Sequence, residues 1–312
     1  MDKKKAKLIF MGTPEISAKL LEELILDGFN FVAVVTKVDS PQGRKQVLTA
    51  PPVKNVALKY DIPVFQFQKV RLEYQTLLPL SADAIVCLAY GQIIPMELIE
   101  AMPLGCLNFH GSLLPKYRGA APLQRAIMNG EEVSGVTAME MVKEMDAGVM
   151  YAKKEVPISL TDTYTAYRDK FIDAVIPFAK ETIPRYLNKE LIGVLQDERE
   201  VTFAHMIKKE EQHLSLNYDK KTFINMVKGL SEEPGGYLLL GDVKLKIYFA
   251  SDYSDDIKTK SGTINNCDKN GVILQLKDGE ISLDVLQLPG KNKQSAKEFA
   301  NGHKNLVANQ LL

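Results

Sequence analysis

The first 150 residues alternate between short apolar runs and segments with helical spacing, and this alternation limits the possible fold more than any other feature. The runs are apolar on both faces, as is typical of strands in a buried parallel sheet. They cover residues 8–11, 31–35, 62–67, 84–89 and 106–109. Strands that alternate with helices predict an α/β domain that is doubly wound around a mostly parallel sheet.

The segment after the first run predicts an amphipathic helix. Thr13 is the expected N-cap, with Pro14 at the first helical position and Gly28 just past the end. A strand, turn and helix of this kind can hold a nucleotide cofactor. Here Pro14 and Ser17 stand where the dinucleotide fingerprint needs glycine, and the chain has no Walker A sequence. We therefore expect neither an NAD site nor an ATP site.

The pattern changes after residue 144. Residues 150–158 predict a strand, and residues 164–187 predict one long helix or a pair broken near two prolines. From residue 203, short apolar runs separated by glycine turns predict a smaller, OB-like β-barrel. We predict three parts, which are a catalytic domain over 1–188, a linker over 189–204 and a C-terminal barrel over 205–312.

Charge and cysteine usage restrict the class of protein. The 39 basic residues balance 39 acidic ones, so a nucleic-acid partner would need a local basic patch. Three widely spaced cysteines indicate a reducing compartment, and no apolar stretch reaches the roughly 18 residues of a membrane span. The four histidines lack ligand spacing, so we expect no metal site. These features predict a cytoplasmic protein that does not contact a membrane.

The candidate chemistry lies between residues 89 and 146. Asn108 and His110 are two residues apart at the end of a predicted strand, so both side chains point to one side. An amide can stabilise a developing oxyanion, and an imidazole can exchange protons near neutral pH. Asp146, which precedes Gly148, could orient that imidazole. From these residues alone, a structural histidine and an ordinary turn aspartate remain open interpretations.

A longer set of motifs resembles the formyltransferases that use 10-formyltetrahydrofolate. The resemblance is carried by residues 108–122 (NFHGSLLPKYRGAAP) together with Asp146-Ala147-Gly148, and it extends to residues 10–14 and 89–95. It covers nearly the whole chain, strongly to about residue 158 and weakly after residue 203. Within this superfamily the chain is most similar to the branch that formylates charged initiator tRNA.

The resemblance implies roles for individual residues. The catalytic trio of the family corresponds to Asn108, His110 and Asp146. Contacts to tetrahydrofolate correspond to Ser112, Leu113, Leu114 and Pro115, and the loop that holds the pterin corresponds to Tyr90, Gly91 and Ile93.

The resemblance also implies a tRNA contact in the long connection over residues 38–54. Arg44 matches the family's key arginine in this inserted loop, and Lys45 follows it. The loop is less basic than is usual in the family, with Gln46 and Val47 where further lysines are common. Residues 205–312 carry a net charge of only +1, although strand alternation places Lys244 and Lys246 on one side.

The expected activity is transfer of the formyl group of 10-formyltetrahydrofolate to methionyl-initiator-tRNA, for translation initiation. The expected partners are this tRNA and tetrahydrofolate, and we expect a monomer. One alternative is a nucleotide-sugar amine formyltransferase, whose segment after Arg118-Gly119 usually carries a second arginine where this chain has Ala120-Ala121. Another alternative is a non-catalytic folate-binding protein on the same fold.

Overall fold

The computed structural model describes residues 2–43, 46–268, 271–303 and 306–312. Its contacts divide the chain into two units. The first consists of the residues up to Ala120, Ser134–Val156 and Arg168–Ala204, and the second consists of Ala121–Val133, Pro157–Tyr167 and His205–Leu312. The predicted linker is thus grouped with the first unit, whereas two short stretches of the predicted catalytic domain are grouped with the second. The boundaries at 188 and 204 stay a prediction.

Among the described residues, a seven-stranded sheet forms the centre of the first unit. The strands up to Pro157 are β1 Leu8–Gly12, β2 Phe31–Thr36, β3 Ser40–Gln42, β4 Val47–Thr49, β5 Val64–Gln66, β6 Ala84–Leu88, β7 Cys106–His110, β8 Val133–Glu140 and β9 Met150–Pro157. The sheet order is β5-β2-β1-β6-β7-β8-β9, and β3 pairs with β4 in a separate two-stranded sheet. The five strands from β5 to β7 are parallel, and β8 runs antiparallel to β7. The predicted doubly wound, mostly parallel sheet is confirmed.

The helices up to residue 187 alternate with these strands as predicted. They are α1 Glu15–Leu26, α2 Pro52–Lys59, α3 Val70–Glu73, α4 Met96–Glu100, α5 Pro122–Met128 and α6 Tyr164–Leu187. The α6 helix is continuous through both of its prolines. The prediction that Thr13 caps α1 was wrong, because Pro14 is the N-cap residue and the Thr13 hydroxyl donates to the Tyr90 carbonyl instead. This bond joins the loop after β1 to the loop after β6.

Apolar packing fixes the central strands. Every residue of β1, β6 and β7 is buried, which explains why these strands appear in the sequence as continuous apolar runs. On one side of β7, Phe109 packs edge-to-face against Phe178 of α6, with ring centroids 5.9 Å apart. The alternation of a strand therefore places Asn108 and His110 on the opposite side.

The second unit contains an antiparallel sheet. Its strands are β10 Gly236–Leu240, β11 Val243–Ser254, β12 Ile264–Asp268, β13 Gly271–Leu276, β14 Gly279–Gln287 and β15 Gln294–Ser295. The order is β10-β11-β14-β13-β12, with β15 beside β14. Bridges from Leu311 to Leu240 and from Gln310 to Thr263 connect the two edges of this sheet. The sheet therefore closes on itself, as the predicted barrel requires.

The second unit also contains helices that were not predicted, namely α7 Lys220–Leu230 and α8 Ala296–Gly302. The side chain of Asp219 caps α7 by accepting from the Thr222 amide. Phe223, Val227 and Leu230 of α7 are fully buried among the apolar strand residues. Among the described residues, no helix combines the length and the apolar character needed to cross a bilayer.

Candidate active site

Asn108 and His110 occupy the carboxyl-terminal half of β7, which is the edge where parallel sheets bind ligands. Their exposed fractions are 8% and 6%. No other described residue makes a hydrogen bond to the Asn108 side chain. A nearly buried amide that has no partner in the described part of the chain is costly unless it is used by a ligand or by water. Asn108 therefore has the environment of a ligand-binding group.

His110 is held from one side and faces a carboxylate on the other. Its Nε2 lies 2.8 Å from the Tyr117 carbonyl oxygen. Because a carbonyl only accepts, Nε2 carries a proton in this arrangement. The Nδ1 atom lies 3.6 Å from Oδ2 of Asp146, which is an ion-pair distance and longer than a direct hydrogen bond. The structure thus brings the predicted histidine and aspartate together.

Asp146 reaches this position because of an unusual local backbone. The residue has a positive φ of 51°, and its Oδ2 accepts from the Gly119 amide at 2.8 Å. Two residues later the chain passes so close to β8 that a Cβ on Gly148 would lie 2.0 Å from the Glu140 carbonyl oxygen. Only glycine fits at that contact, which explains the Asp146-Ala147-Gly148 spacing.

The loop that follows β7 contains the four residues predicted to contact folate. The Ser112 hydroxyl is fully buried and donates to the Lys116 carbonyl at 2.6 Å, so this side chain shapes the loop. The Thr137 hydroxyl also holds the loop by donating to the Ser112 carbonyl and accepting from the Leu114 amide. Leu114 and Pro115 are buried, whereas Leu113 is partly exposed. Their contact with folate stays a prediction.

The second predicted folate loop follows β6, the parallel neighbour of β7. Tyr90 is buried, its hydroxyl has no hydrogen-bond partner among the described residues, and burial raises the pKa of that hydroxyl. Gly91 lies against the Lys37 side chain. Ile93 is 80% exposed, so its apolar surface is open for contact. The two loops leave the same sheet edge, but their role in folate binding is untested.

The predicted tRNA contacts Arg44 and Lys45 lie outside the described residues. The residues on either side form the β3–β4 hairpin, with Ser40 opposite Thr49, in a long connection for which no strands were predicted. The base of this hairpin is fixed by an ion pair between Lys54 and Asp39. Val47 and Leu48 expose more than half of their surface.

The sequence analysis did not identify Gln196, whose side chain binds the backbone of the segment that carries Asp146. The Gln196 amide donates to the carbonyl oxygens of Asp146 and Gly148 at 2.7 and 2.9 Å, and its oxygen accepts from Arg118 Nε at 2.9 Å. Gln196 lies in the polar stretch predicted as a linker. No motif or periodicity marks it, because its contacts are to backbone atoms far away in the sequence.

A separate depression of about 410 Å³ lies at the other end of β7. The residues around it include Gly105, Glu140, Tyr151 and Tyr186. None of the predicted site residues lines it. The amide, imidazole and carboxylate at the carboxyl end of β7 therefore define the candidate site.

Comparison with known proteins shows the family to which the chain belongs. A formyl transferase family model matches residues 4–178, and a model of the formyl transferase C-terminal domain matches residues 206–304. The chain belongs to the formyltransferase family. It is 39% identical over 309 residues to a methionyl-tRNA formyltransferase of Staphylococcus aureus, which covers 98% of this chain and 99% of the relative.

Two solved structures share the fold at low sequence identity. HypX from Aquifex aeolicus in complex with tetrahydrofolic acid matches with a TM-score of 0.65 and 19% identity, over 93% of this chain and 46% of that one. WlaRD, a sugar 3N-formyltransferase solved in the presence of dTDP and 5-N-formyl-THF, matches with a TM-score of 0.67 and 18% identity, over 92% and 99%. At these identities the likeness shows the fold alone.

Proposed function

We propose that this chain transfers the formyl group of 10-formyltetrahydrofolate to the α-amino group of methionyl-initiator-tRNA. The observation that supports the proposal is the 3.6 Å contact between His110 and Asp146, with Asn108 two residues before His110 on the same strand. The near full-length likeness to a methionyl-tRNA formyltransferase supports the choice of acceptor.

The chemistry follows from the three side chains. The amine nitrogen attacks the formyl carbon, and a tetrahedral state with a negatively charged oxygen forms. The Asn108 amide and the protonated His110 imidazole stabilise this oxygen, and one well-placed donor is often worth about 3 to 4 kcal/mol. Asp146 stabilises the imidazolium and accepts the proton that the amine loses. As the bond from the formyl carbon to N10 breaks, that proton passes to N10, so the products are the formamide and tetrahydrofolate.

The folate would be held by the two loops that follow β6 and β7. The exposed side chain of Ile93 and the partly exposed Leu113 offer apolar surface for its ring system. The buried Ser112 and Tyr90 would fix the shapes of these loops. The solved structure of HypX with tetrahydrofolic acid on the same fold supports a folate at such a site. A metal has no part in this proposal.

On the tRNA side, Arg44 and Lys45 would contact phosphates or bases. The second unit offers a further surface, which we call the lysine–tyrosine face. Lys244 Nζ lies 4.1 Å from the ring centroid of Tyr237, and Lys293 Nζ lies 4.3 Å from that of Tyr248. Lys246 Nζ lies 6.0 Å from the Tyr248 centroid. Cations beside aromatic rings suit a single-stranded or terminal part of an RNA, since they bind both phosphates and bases.

We place this activity in the cytoplasm and expect the chain to act as a monomer. Support for a reducing compartment comes from Cys87, Cys106 and Cys267, which are all buried free thiols. The small net charge of the second unit means that local clusters, and not a general field, would attract the tRNA.

The experiment is a formyl-transfer assay with three acceptors, namely methionyl-initiator-tRNA, free methionine and a nucleotide-linked amino sugar. We expect transfer from 10-formyltetrahydrofolate to the tRNA only. Transfer to the sugar without transfer to the tRNA would replace the proposal with the sugar-modifying alternative. Folate binding without transfer to any acceptor would favour a non-catalytic protein.

A further inference from the structure

Residues 194–204, which we call the bracing segment, form a second layer behind the candidate trio. Leu195 and Val194 expose 79% and 59% of their surface, so apolar packing does not explain the course of this segment. It is fixed instead by hydrogen bonds. Val194 pairs with Met150 through two backbone bonds of 2.8 and 2.9 Å.

The other end of the bracing segment binds the loop that carries the partners of the trio. The Arg118 amide donates to the Thr202 carbonyl at 2.9 Å, and the Ala204 amide donates to the Arg118 carbonyl at 2.7 Å. The Thr202 hydroxyl accepts from the Tyr117 amide at 2.9 Å. The loop that is held in this way supplies the Tyr117 carbonyl to His110 and the Gly119 amide to Asp146.

Gln196 joins this loop to the turn that carries Asp146. Its amide nitrogen donates to the carbonyls of Asp146 and Gly148, and its oxygen accepts from Arg118. Arg118 is 5% exposed, and its guanidinium also pairs with Glu198 at 2.8 Å. The two polar atoms of this side chain thus make three hydrogen bonds, and these bonds link two segments that approach the Asp146 carboxylate from different directions.

We propose that Gln196 is a positioning residue that fixes Asp146 for formyl transfer. The inference rests on the proposed function, because Asp146 is the group through which Gln196 acts. Asp146 has a left-handed backbone conformation that costs free energy for a residue with a side chain, so the surroundings must hold it. Two hydrogen bonds on the carbonyls of Asp146 and Gly148 supply part of that restraint. Without them, the carboxylate would leave the 3.6 Å contact with His110 for part of the time.

The test compares two substitutions with a matched control. Gln196→Leu removes all three hydrogen bonds. Gln196→Glu keeps the size of the side chain and the acceptor for Arg118 but removes both donors, so it should fold even where the leucine variant does not. Leu195→Ala is the control, because this neighbouring side chain is 79% exposed.

We expect Gln196→Glu to lower kcat at least tenfold and to leave KM for 10-formyltetrahydrofolate within twofold, whereas Leu195→Ala should leave both unchanged. In an Asp146→Asn background the same Gln196 substitution should lower kcat less than twofold, because the carboxylate that Gln196 positions is already lost. A purely structural role would lower kcat by the same factor in both backgrounds. Such additivity, or an unchanged kcat in the single variant, would overturn the inference.

Amide hydrogen exchange gives a readout that does not depend on turnover. Gln196→Glu should speed exchange at Gly119, whose amide donates to Asp146, by at least tenfold, and Leu195→Ala should not. Equal exchange in the two variants would overturn the inference even if the wild-type chain formylated no tRNA. Failure of the proposed function is seen separately, as absence of formyl transfer to methionyl-initiator-tRNA by the wild-type chain.

Discussion

The imidazole of His110 lies between the Tyr117 carbonyl, 2.8 Å from Nε2, and the Asp146 carboxylate, 3.6 Å from Nδ1. The carbonyl fixes the ring and keeps a proton on Nε2, so Nδ1 is the nitrogen that can exchange its proton with a reacting group. One backbone loop thereby sets both the tautomer of the histidine and, through the Gly119 amide, the place of the aspartate.

Gly119→Ala should lower kcat at least tenfold. The residue has a φ of +121°, and a Cβ there would lie 2.8 Å from the Ala204 carbonyl oxygen, so the backbone that donates to Asp146 must move. Gly302→Ala is the matched control, since a Cβ at that position meets nothing within 4 Å. Steady-state kinetics and a thermal unfolding curve for each variant are sufficient. A kcat within twofold of wild type would show that the loop tolerates the shift.

Replacing both Lys244 and Lys293 with Gln should weaken tRNA binding and reduce its salt dependence. If each lysine neutralises one phosphate, the slope of log affinity against log salt should fall in magnitude by about 1.4 to 1.8. The charge-matched control replaces Lys260 and Lys277, which are exposed lysines of the same unit that make no ring contact with any described residue. Equal effects of the two double variants would indicate a general charge effect and remove the lysine–tyrosine face from the tRNA site.

Glu211→Gln should destabilise the second unit near neutral pH but not in acid. The Arg125 guanidinium binds Glu211 through two bonds of 2.6 and 3.0 Å and lowers the pKa of that carboxyl below its ordinary value of 4.5. A lowered folded-state pKa stabilises the fold above the unfolded-state value, and this contribution is lost as the pH falls through the folded-state value. The difference in unfolding free energy, up to about 1 kcal/mol for a partly exposed pair, should therefore shrink below pH 4.5.

Denaturant unfolding of wild type and variant over a pH series measures this difference. Glu210→Gln, at the exposed neighbouring position, is the control and should show little effect at any pH. If the unfolding free energy of the wild type still exceeded that of the variant by the same amount at strongly acid pH, the ion-pair explanation would be contradicted.

The native chain should resist thiol reagents at pH 8. All three cysteines are buried, and burial raises the pKa of Cys87 to about 12 and that of Cys106 well above the usual range. The thiolate is the reactive form, so both low access and a raised pKa protect these residues. Titration with a chromogenic disulfide should give almost no rapid reaction in the folded chain and three thiols after unfolding. A fast-reacting thiol in the folded chain would show that one of the three is accessible.

The parallel sheet could be predicted because its strands are buried on both faces and therefore form continuous apolar runs. The same regularity predicts Asn108 and His110 on one side of a strand, and the structure confirms that both lie on β7. Asp146 was a candidate from the residues alone, but only the family motif favoured a catalytic role over an ordinary turn aspartate. Its side chain reaches His110 because of a positive φ and a close contact at Gly148, and neither has a periodic signal in the sequence.

Other features of the structure could not be predicted, because they depend on contacts between residues that are far apart in the sequence. Thr13 is a residue type that commonly caps helices, but its hydroxyl donates to a carbonyl of the loop after β6. The α7 helix has apolar residues at helical spacing after Asp219, yet the surrounding glycine turns favoured strands. Gln196 lies in a polar stretch, and only the folded chain brings it to two carbonyl groups some 50 residues away in the sequence.

Kinetics and folate affinity of Asp146→Asn test the central claim most directly. The substitution keeps the size of the side chain but removes the negative charge that, in the proposed mechanism, accepts the proton from the amine. We predict that formyl transfer to methionyl-initiator-tRNA slows by at least a hundredfold, while the dissociation constant for 5-formyltetrahydrofolate, measured by calorimetry, changes less than threefold. An unchanged turnover, or a loss of folate affinity that accounts for the whole loss of activity, would contradict the catalytic role of the trio.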